Sequence, residues 1–257
     1  MILVDRGSRL VIAHRGASGL APENTVAAFE LGLEQGADAL ELDIRLAACG
    51  TPVVVHDPTL DRTTAWTGSV HTRTAAELGE CDAGYRFSGE GNTFPWRSRG
   101  VTIPTLEQVL ARFPEVPLLI ELKTIAVALP AMEVLRRHGA AKRVMVASFL
   151  EPAVVPFRAA GFRTSASRRG IFMLWALSTV GLHGRSKDHA YSVPERYRDW
   201  ITVPTPAFIR SAGRLGCPVH VWTVNDRRKA RELWDRGVTG IITNFPAEMV
   251  AERGTLP

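Results

Sequence analysis

Cysteine is scarce in this chain of 257 residues: three occur, Cys49, Cys81 and Cys217, with no paired spacing. That excludes a disulfide framework and a cysteine-built zinc site, and it predicts free thiols in a reducing, cytoplasmic setting. Long apolar runs are missing too. The longest, Ile171 to Leu182, falls short of the ~20 residues that a membrane span needs, so a packed helix is expected there and no transmembrane segment. Met1 to Arg9 carries Asp5 and Arg6 where a signal peptide would need its apolar core, which argues against export by that route. Blocks of one charge sign are absent as well. The 31 basic and 26 acidic residues give +5, a mild preference for anionic ligands such as phosphates, but no Lys or Arg cluster is long enough to argue for nucleic acid. Nothing in the sequence sets an oligomeric state.

What is present is enough apolar sequence, 46% of the chain, for one large core, arranged as alternating strand-like and helix-like segments. Strand candidates fall at 10–13, 39–45, 53–56, 117–122, 144–147, 162–164, 190–193, 219–222 and 240–242. Repeated strand and helix alternation at this length favours a single TIM (β/α)8 barrel over 1–257, so one of the nine candidates must lie outside the barrel. The stretch 58–103, after the third strand, breaks the alternation and reads as a small ordered insertion whose Trp66, Tyr85, Phe87 and Trp96 can pack. A helix is expected from Val26 to Gln35, capped by Asn24 or Thr25 and stopped by Gly36. Another starts near Thr105 with a capping box offset by one residue, and one at 126–138 would need a kink at Pro130.

The chemistry sits on the strands. In Leu40-Glu41-Leu42-Asp43-Ile44 and Leu119-Ile120-Glu121-Leu122-Lys123, ionisable residues occupy every second position of otherwise apolar runs. Strand side chains alternate faces, so Glu41 and Asp43 share one side of the sheet, as do Glu121 and Lys123. Burying these charges costs several kcal/mol per ion unless they are compensated, and a divalent cation held by Glu41, Asp43 and Glu121 is the simplest compensation. Two further strands end in histidine, at His14-Arg15-Gly16 and His56-Asp57. Strand C-termini are where a barrel carries its chemistry, and two histidines there can supply an acid and a base.

Nine motifs in order carry a family resemblance: His14-Arg15-Gly16, Ala21-Pro22-Glu23-Asn24-Thr25, Glu41-Leu42-Asp43, Val55-His56-Asp57, Leu60-Asp61-Arg62-Thr63-Thr64, Ile103-Pro104-Thr105-Leu106, Glu121-Leu122-Lys123, Ser148-Phe149 and Val221-Trp222-Thr223-Val224-Asn225. With them the chain resembles the glycerophosphodiester phosphodiesterases over nearly its whole length. The resemblance implies a TIM barrel with an insertion after the third strand, and Mg2+ or Ca2+ at Glu41, Asp43 and Glu121. It also implies His14 and His56 as the acid and base pair, and hydrolysis of a glycerophosphodiester to sn-glycerol 3-phosphate and an alcohol. Arg15 and Lys123 would bind the phosphate, while Trp222 and Phe149 would wall the pocket.

Two competing readings are a phospholipase D-like hydrolase or lyase acting on lysophospholipids and a catalytically silent phosphate-binding barrel. Glu23 and Asn24 fit either a functional role or an ordinary helix start. Two positions depart from the family pattern: Cys49-Gly50 and Asn244 stand where Asp-Gly and Asp are common, so a shift in turn geometry or substrate-side hydrogen bonding is expected. Ser165 to His189 matches poorly and is expected to influence specificity. His71, His138, His183 and His189 lack motif context and are expected at the surface.

Overall fold

The structure is a computed structural model that describes residues 1–89, 91, 93–197 and 201–256; the remaining positions, including 90 and 92 of the stretch read as an insertion, lie outside that description. Its strands are β1 (Leu10–His14), β2 (Ala39–Leu46), β3 (Pro52–Val54), β4 (Leu118–Leu122), β5 (Val144–Ala147) and β6 (Arg163–Thr164). They are followed by β7 (Tyr191–Pro194), β8 (Arg196–Tyr197), β9 (Ile201–Thr202), β10 (Val219–Trp222) and β11 (Gly240–Thr243). Eight of them run parallel in the order β6-β5-β4-β2-β1-β11-β10-β7. A parallel bridge between Ser165 and Ala190 joins the two ends, so the sheet closes into the expected (β/α)8 barrel.

Side-chain alternation builds two cores from one set of strands. Leu40, Leu42, Ile44, Leu118, Ile120 and Leu122 point outward and pack against the surrounding helices. Leu10, Ile12, Ala39, Leu119, Met145, Ala190 and Ile242 point inward and fill the barrel, with Leu3 of the N-terminal turn joining this interior cluster. The inward face does not stay apolar to the strand ends. Two residues beyond Ile12, Ala39, Leu119 and Ile242 come His14, Glu41, Glu121 and Asn244, and Asp43 follows Glu41.

The candidate strand that lies outside the barrel is the third. β3 pairs antiparallel with β2, with Ile44 opposite Val54. A parallel return needs a crossover of a dozen or more residues, and too few separate β2 from β3, so the chain can only turn back as a hairpin. Gly50, at φ 79°, makes that turn, and Cys49 fits it, its Sγ accepting from Ala75 N at 3.3 Å. His56 therefore comes down onto the barrel mouth from a reversed strand, instead of rising from a parallel one.

Among the described residues of the insertion, aliphatic side chains supply the packing expected of the aromatics. Leu60, Val70, Leu78, Cys81, Ala83 and Ile103 bury against Val53 and Val55, with Trp66 only at the margin. Phe94 is exposed, and Arg97 lies across the Tyr85 and Phe94 rings. Within it lies α2 (Ala75–Glu80).

Helices otherwise follow local signals. Thr25, not Asn24, caps α1 (Val26–Glu34), its side chain accepting from Ala28 N. The box on α3 (Leu106–Arg112) is in register, Thr105 with Gln108, with no offset. Pro130 sits in the first turn of α4 (Ala128–Arg137), where its missing N–H has no intrahelical partner to lose, so no kink is needed. After α5 (Glu151–Ala159) comes α6 (Arg168–Thr179), the apolar run expected to be a packed helix. Within α6 only Leu174 and Ser178 are buried, and Phe172 is 64% exposed. The barrel is completed by α7 (Pro206–Arg214), α8 (Arg227–Asp235) and α9 (Pro246–Arg253). No helix among the described residues is long and apolar enough to cross a membrane.

Gly16 couples the first strand to α1. Its φ is +83°, and a Cβ there would lie 2.4 Å from the Ala28 carbonyl carbon, a backbone atom that cannot move aside. Gly16→Ala should therefore cost about 2 kcal/mol or more, read as a lower urea midpoint at unchanged m-value. A shift worth under ~0.5 kcal/mol would contradict this account of the glycine.

Candidate active site

Strand register assembles the site before any side chain is considered. His14 on β1 pairs with Glu41 on β2, and Asp43 on β2 pairs with Glu121 on β4. The three carboxylates converge at the top of the barrel interior, each offering an oxygen within 4.8 Å of the others. Glu41 and Asp43 are buried, at 5% and 1% exposure.

Asp43 is the most heavily partnered of the three. Asn24 Nδ2 donates to Asp43 Oδ2 at 2.9 Å while Asp43 N donates back to Asn24 Oδ1 at 3.1 Å. Lys123 Nζ bridges Asp43 Oδ1 at 2.7 Å and Glu121 Oε1 at 2.9 Å. Arg15 Nε stands 3.1 Å from Asp43 Oδ2, close enough for an ion pair but misdirected for a hydrogen bond. Burial alone would raise the Asp43 pKa, but Lys123 and Arg15 bring it down to about 2. Glu41 goes the other way. Burial, then the neighbouring Asp43 charge, pushes it well above the usual carboxylate range, and burial likewise raises Glu121. In the absence of a cation this cluster is short of positive charge.

One divalent ion suits that shortage. Carboxylate oxygens within 4.8 Å of one another are spaced for a single cation with metal–oxygen distances of about 2.0–2.6 Å. An all-oxygen donor set matches hard ions of the Mg2+ and Ca2+ type.

Loop conformation places the cationic residues. Arg15 and Asn24 both adopt left-handed backbone, at φ 55° and 60°. Arg15 N thereby donates to Glu41 Oε2 at 3.0 Å, and Asn24 N to Arg15 O at 3.0 Å. Glu23 accepts from Arg15 Nη1 at 2.9 Å and from both Arg62 amino groups, at 2.7 and 2.8 Å. Burial would raise Glu23, but Arg62 and Arg15 hold it below its ordinary value.

The two histidines are backed differently. His14 Nδ1 lies 2.7 Å from Asn244 Oδ1, which also accepts from Ser18 Oγ at 2.9 Å. His56 Nδ1 lies 2.7 Å from Asp57 Oδ1, and Arg62 donates to the other Asp57 oxygen. In each case Nδ1 is engaged, leaving Nε2 as the nitrogen available to a ligand. Burial, with Arg15 second, lowers the His14 pKa to about 4, so this imidazole is neutral at pH 7.

Phe149 and Trp222 meet across the mouth with ring centroids 5.9 Å apart. All nine residues singled out from the sequence thus gather at one end of the barrel or on its rim. Asn24, Asp57, Arg62 and Asn244 complete the network. Asp57 and Arg62 lay inside quoted motifs, and Asn244 was legible as the inward position two beyond Ile242. Its side chain is tied to His14 and Ser18. Of the histidines expected at the surface, His71 is exposed, whereas His138, His183 and His189 are half-buried, and His189 Nδ1 accepts from Thr164 N at 3.2 Å.

Comparison with known proteins agrees with this geometry. The model of the glycerophosphoryl diester phosphodiesterase family matches residues 14–248. A glycerophosphodiester phosphodiesterase of Caldanaerobacter subterraneus subsp. tengcongensis is 33% identical over 94% of this chain and 96% of its own length. One from Bacillus subtilis is 31% identical over 92% and 84%. Among solved structures, the phosphodiesterase domain of protein Rv2277c from Mycobacterium tuberculosis superposes with a TM-score of 0.84, covering 97% of this chain and 100% of that one; at 22% identity it speaks to the fold alone. An Oleispira antarctica phosphodiesterase in complex with the product sn-glycerol-3-phosphate has a TM-score of 0.75 at 25% identity, over 96% and 97% of the two chains. The chain belongs to the glycerophosphoryl diester phosphodiesterase family.

The buried His14 makes a pH prediction. Its folded pKa of about 4 lies below the ordinary 6.5, so between those values the unfolded chain binds the extra proton and stability falls as pH drops. The loss is on the order of 3 kcal/mol at 1.36 kcal/mol per pKa unit. Urea unfolding of wild type and His14→Gln at pH 7 and pH 4.5 should show a smaller acid loss in the variant. Identical losses would mean that His14 is not buried in the neutral form.

Proposed function

We propose that the chain hydrolyses glycerophosphodiesters to sn-glycerol 3-phosphate and an alcohol, with a divalent cation, Mg2+ or Ca2+, held by Glu41, Asp43 and Glu121. The observation that carries this reading is the convergence of three carboxylates, two of them buried, with two histidines, each engaged at Nδ1, on the barrel mouth. When bound, such a cation supplies Lewis-acid stabilisation of the phosphoryl oxygens and lowers the pKa of a coordinated hydroxyl.

The chain's own groups handle charge and protons. An incoming phosphodiester brings one negative charge to a cluster that already holds three carboxylates, so its approach depends on Arg15 and Lys123. Guanidinium offers a planar fork to phosphate oxygens and ammonium a compact point charge. The Asp43 contacts, supported by Glu23 and Arg62, fix both cations in place. One histidine Nε2 accepts the proton of the attacking hydroxyl, and the other donates to the departing alkoxide. An alkoxide is a poor leaving group, so the second step matters as much as the first. Phe149 and Trp222 wall the pocket away from the cationic side.

Chelation should abolish turnover and added Mg2+ or Ca2+ should restore it. Glu121→Ala should weaken metal binding, measured by calorimetry, while leaving the barrel folded, because it removes one like charge from a crowded cluster. Undiminished metal affinity and activity in Glu121→Ala would sink the site assignment.

The histidines should divide the work. Removing either should lower kcat by about 10²–10⁴-fold on an alkyl diester. A p-nitrophenyl diester leaves without protonation, so it should rescue only the variant lacking the acid. Comparing His14→Ala and His56→Ala on both substrates decides the roles, and equal rescue of the two would rule out the division.

A further inference from the structure

We infer that a second cavity, between α5 and α6 and outside the catalytic mouth, binds a small organic phosphomonoester. Its volume is about 320 Å³, within the range of small-molecule sites. None of the carboxylates, histidines or aromatic residues of the mouth lines it. The helix α6 stands between the two concavities: Phe172 and Trp175 border the aromatic side of the mouth, whereas Arg169, Met173 and Leu177 line the cavity, which residues 183–188 close over.

Charge is the first argument. Arg158, Arg169, Arg185 and Lys187 line the cavity against Glu151 and Asp188, which leaves an excess of two positive charges. Both carboxylates are already committed to Arg158. Glu151 accepts from its Nη1 at 2.9 Å, and Asp188 Oδ1 accepts from its Nη2 at 2.7 Å and from Thr164 Oγ1 at 2.8 Å. Arg169, Arg185 and Lys187 make no hydrogen bond or ion pair among the described residues, so three cations face one space with nothing to neutralise them.

Hydrogen-bond donors point the same way. Arg169 and Gly170 belong to the first turn of α6, whose backbone N–H groups have no intrahelical acceptor, and the N-cap Ser167 gives its hydroxyl to Glu151 instead of accepting from them. The positive end of a twelve-residue helix therefore borders the cavity. His183 Nδ1 is buried there without a partner among the described residues. A ring N–H is satisfied by an anionic oxygen. Met173, Leu174 and Leu177 supply one apolar wall, which suits a short carbon stem better than a bare ion. A phosphate monoester meets all of these demands, because it is close to dianionic at pH 7 and presents three strong acceptor oxygens to guanidinium forks and backbone N–H groups.

The test is calorimetry with sn-glycerol 3-phosphate in EDTA, at about 0.15 M ionic strength, where loosely placed surface charge is largely screened. Without metal, the three carboxylates of the mouth repel an anion, so the cavity dominates the binding. Arg185→Gln/Lys187→Gln, two exposed changes, should weaken binding about tenfold or more. Arg136→Gln/Lys142→Gln, which removes the same charge at exposed positions on and after α4, should leave it unchanged. His183→Phe keeps the ring bulk without the nitrogen and should weaken binding severalfold. Inorganic phosphate should bind more weakly than the ester, and succinate more weakly still. Equal affinity for either would overturn the phosphomonoester assignment. Affinity that survives in Arg185→Gln/Lys187→Gln, or that falls equally in Arg136→Gln/Lys142→Gln, would overturn the site, as would no binding by wild type. None of these readouts involves turnover, so they stand or fall apart from the hydrolysis proposed above.

Discussion

Three like charges held in one corner of a low-dielectric barrel are the constraint from which the rest of this site follows. An isolated buried carboxylate would take up a proton, and three together repel one another besides. The chain answers with fixed cations and donors. Lys123 bridges two of the carboxylates, Asn24 clasps Asp43 through a reciprocal pair of hydrogen bonds, and Arg15 gives its backbone N–H to Glu41. Compensation is incomplete, because Glu41 and Glu121 still lie above their ordinary pKa values while Asp43 lies below. A cluster short of positive charge in this way has the charge and the donor set that suit a cation.

The same demand explains the unusual backbone around it. Left-handed conformation at Arg15 and Asn24 costs of order 1–3 kcal/mol per non-glycine residue, and asparagine tolerates it better than most. What that strain secures is direction: the Arg15 amide faces Glu41, its guanidinium faces Glu23, and the Asn24 side chain faces Asp43. Glu23 then connects this cluster to Arg62 of the insertion, and Arg62 connects to Asp57 behind His56. The insertion is thereby tied to His56 through Asp57 as well as to Arg15 through Glu23. Its aliphatic core includes Val53 and Val55, which flank the descent of β3 toward His56.

Much of this was legible in the residues. Alternation of charge and apolar side chains in Leu40 to Ile44 and in Leu119 to Lys123 encodes the inward acidic face, because a strand has a strict period of two. Capping and turn signals at Thr25, Gly36 and Thr105 encode local geometry and need no tertiary context. The antiparallel course of β3 was also encoded, in the shortness of the connection after Leu46, but apolar composition alone does not separate a barrel strand from a hairpin return. The role of Asn244 could not be read from its chemistry, since an amide suits many partners, and only its inward register beside His14 shows that it serves that histidine. Least legible was α6. Apolar periodicity reports that a face must be covered and not what covers it, so a groove-forming helix and a core helix read alike.

Barrel closure then separates the mouth into two unlike halves. β1, β2 and β4 bring the carboxylates and cations, while β5, β7, β10 and α6 border the aromatic side. The two halves answer to different physics. The acidic half tolerates little change among its cations and donors, because removing Lys123, Arg15 or Asn24 leaves a buried carboxylate less compensated. The aromatic half is held by nondirectional packing, which accepts volume-conserving exchange at small cost. Exchange along Ser165 to His189 therefore leaves the buried charge network of the opposite half undisturbed.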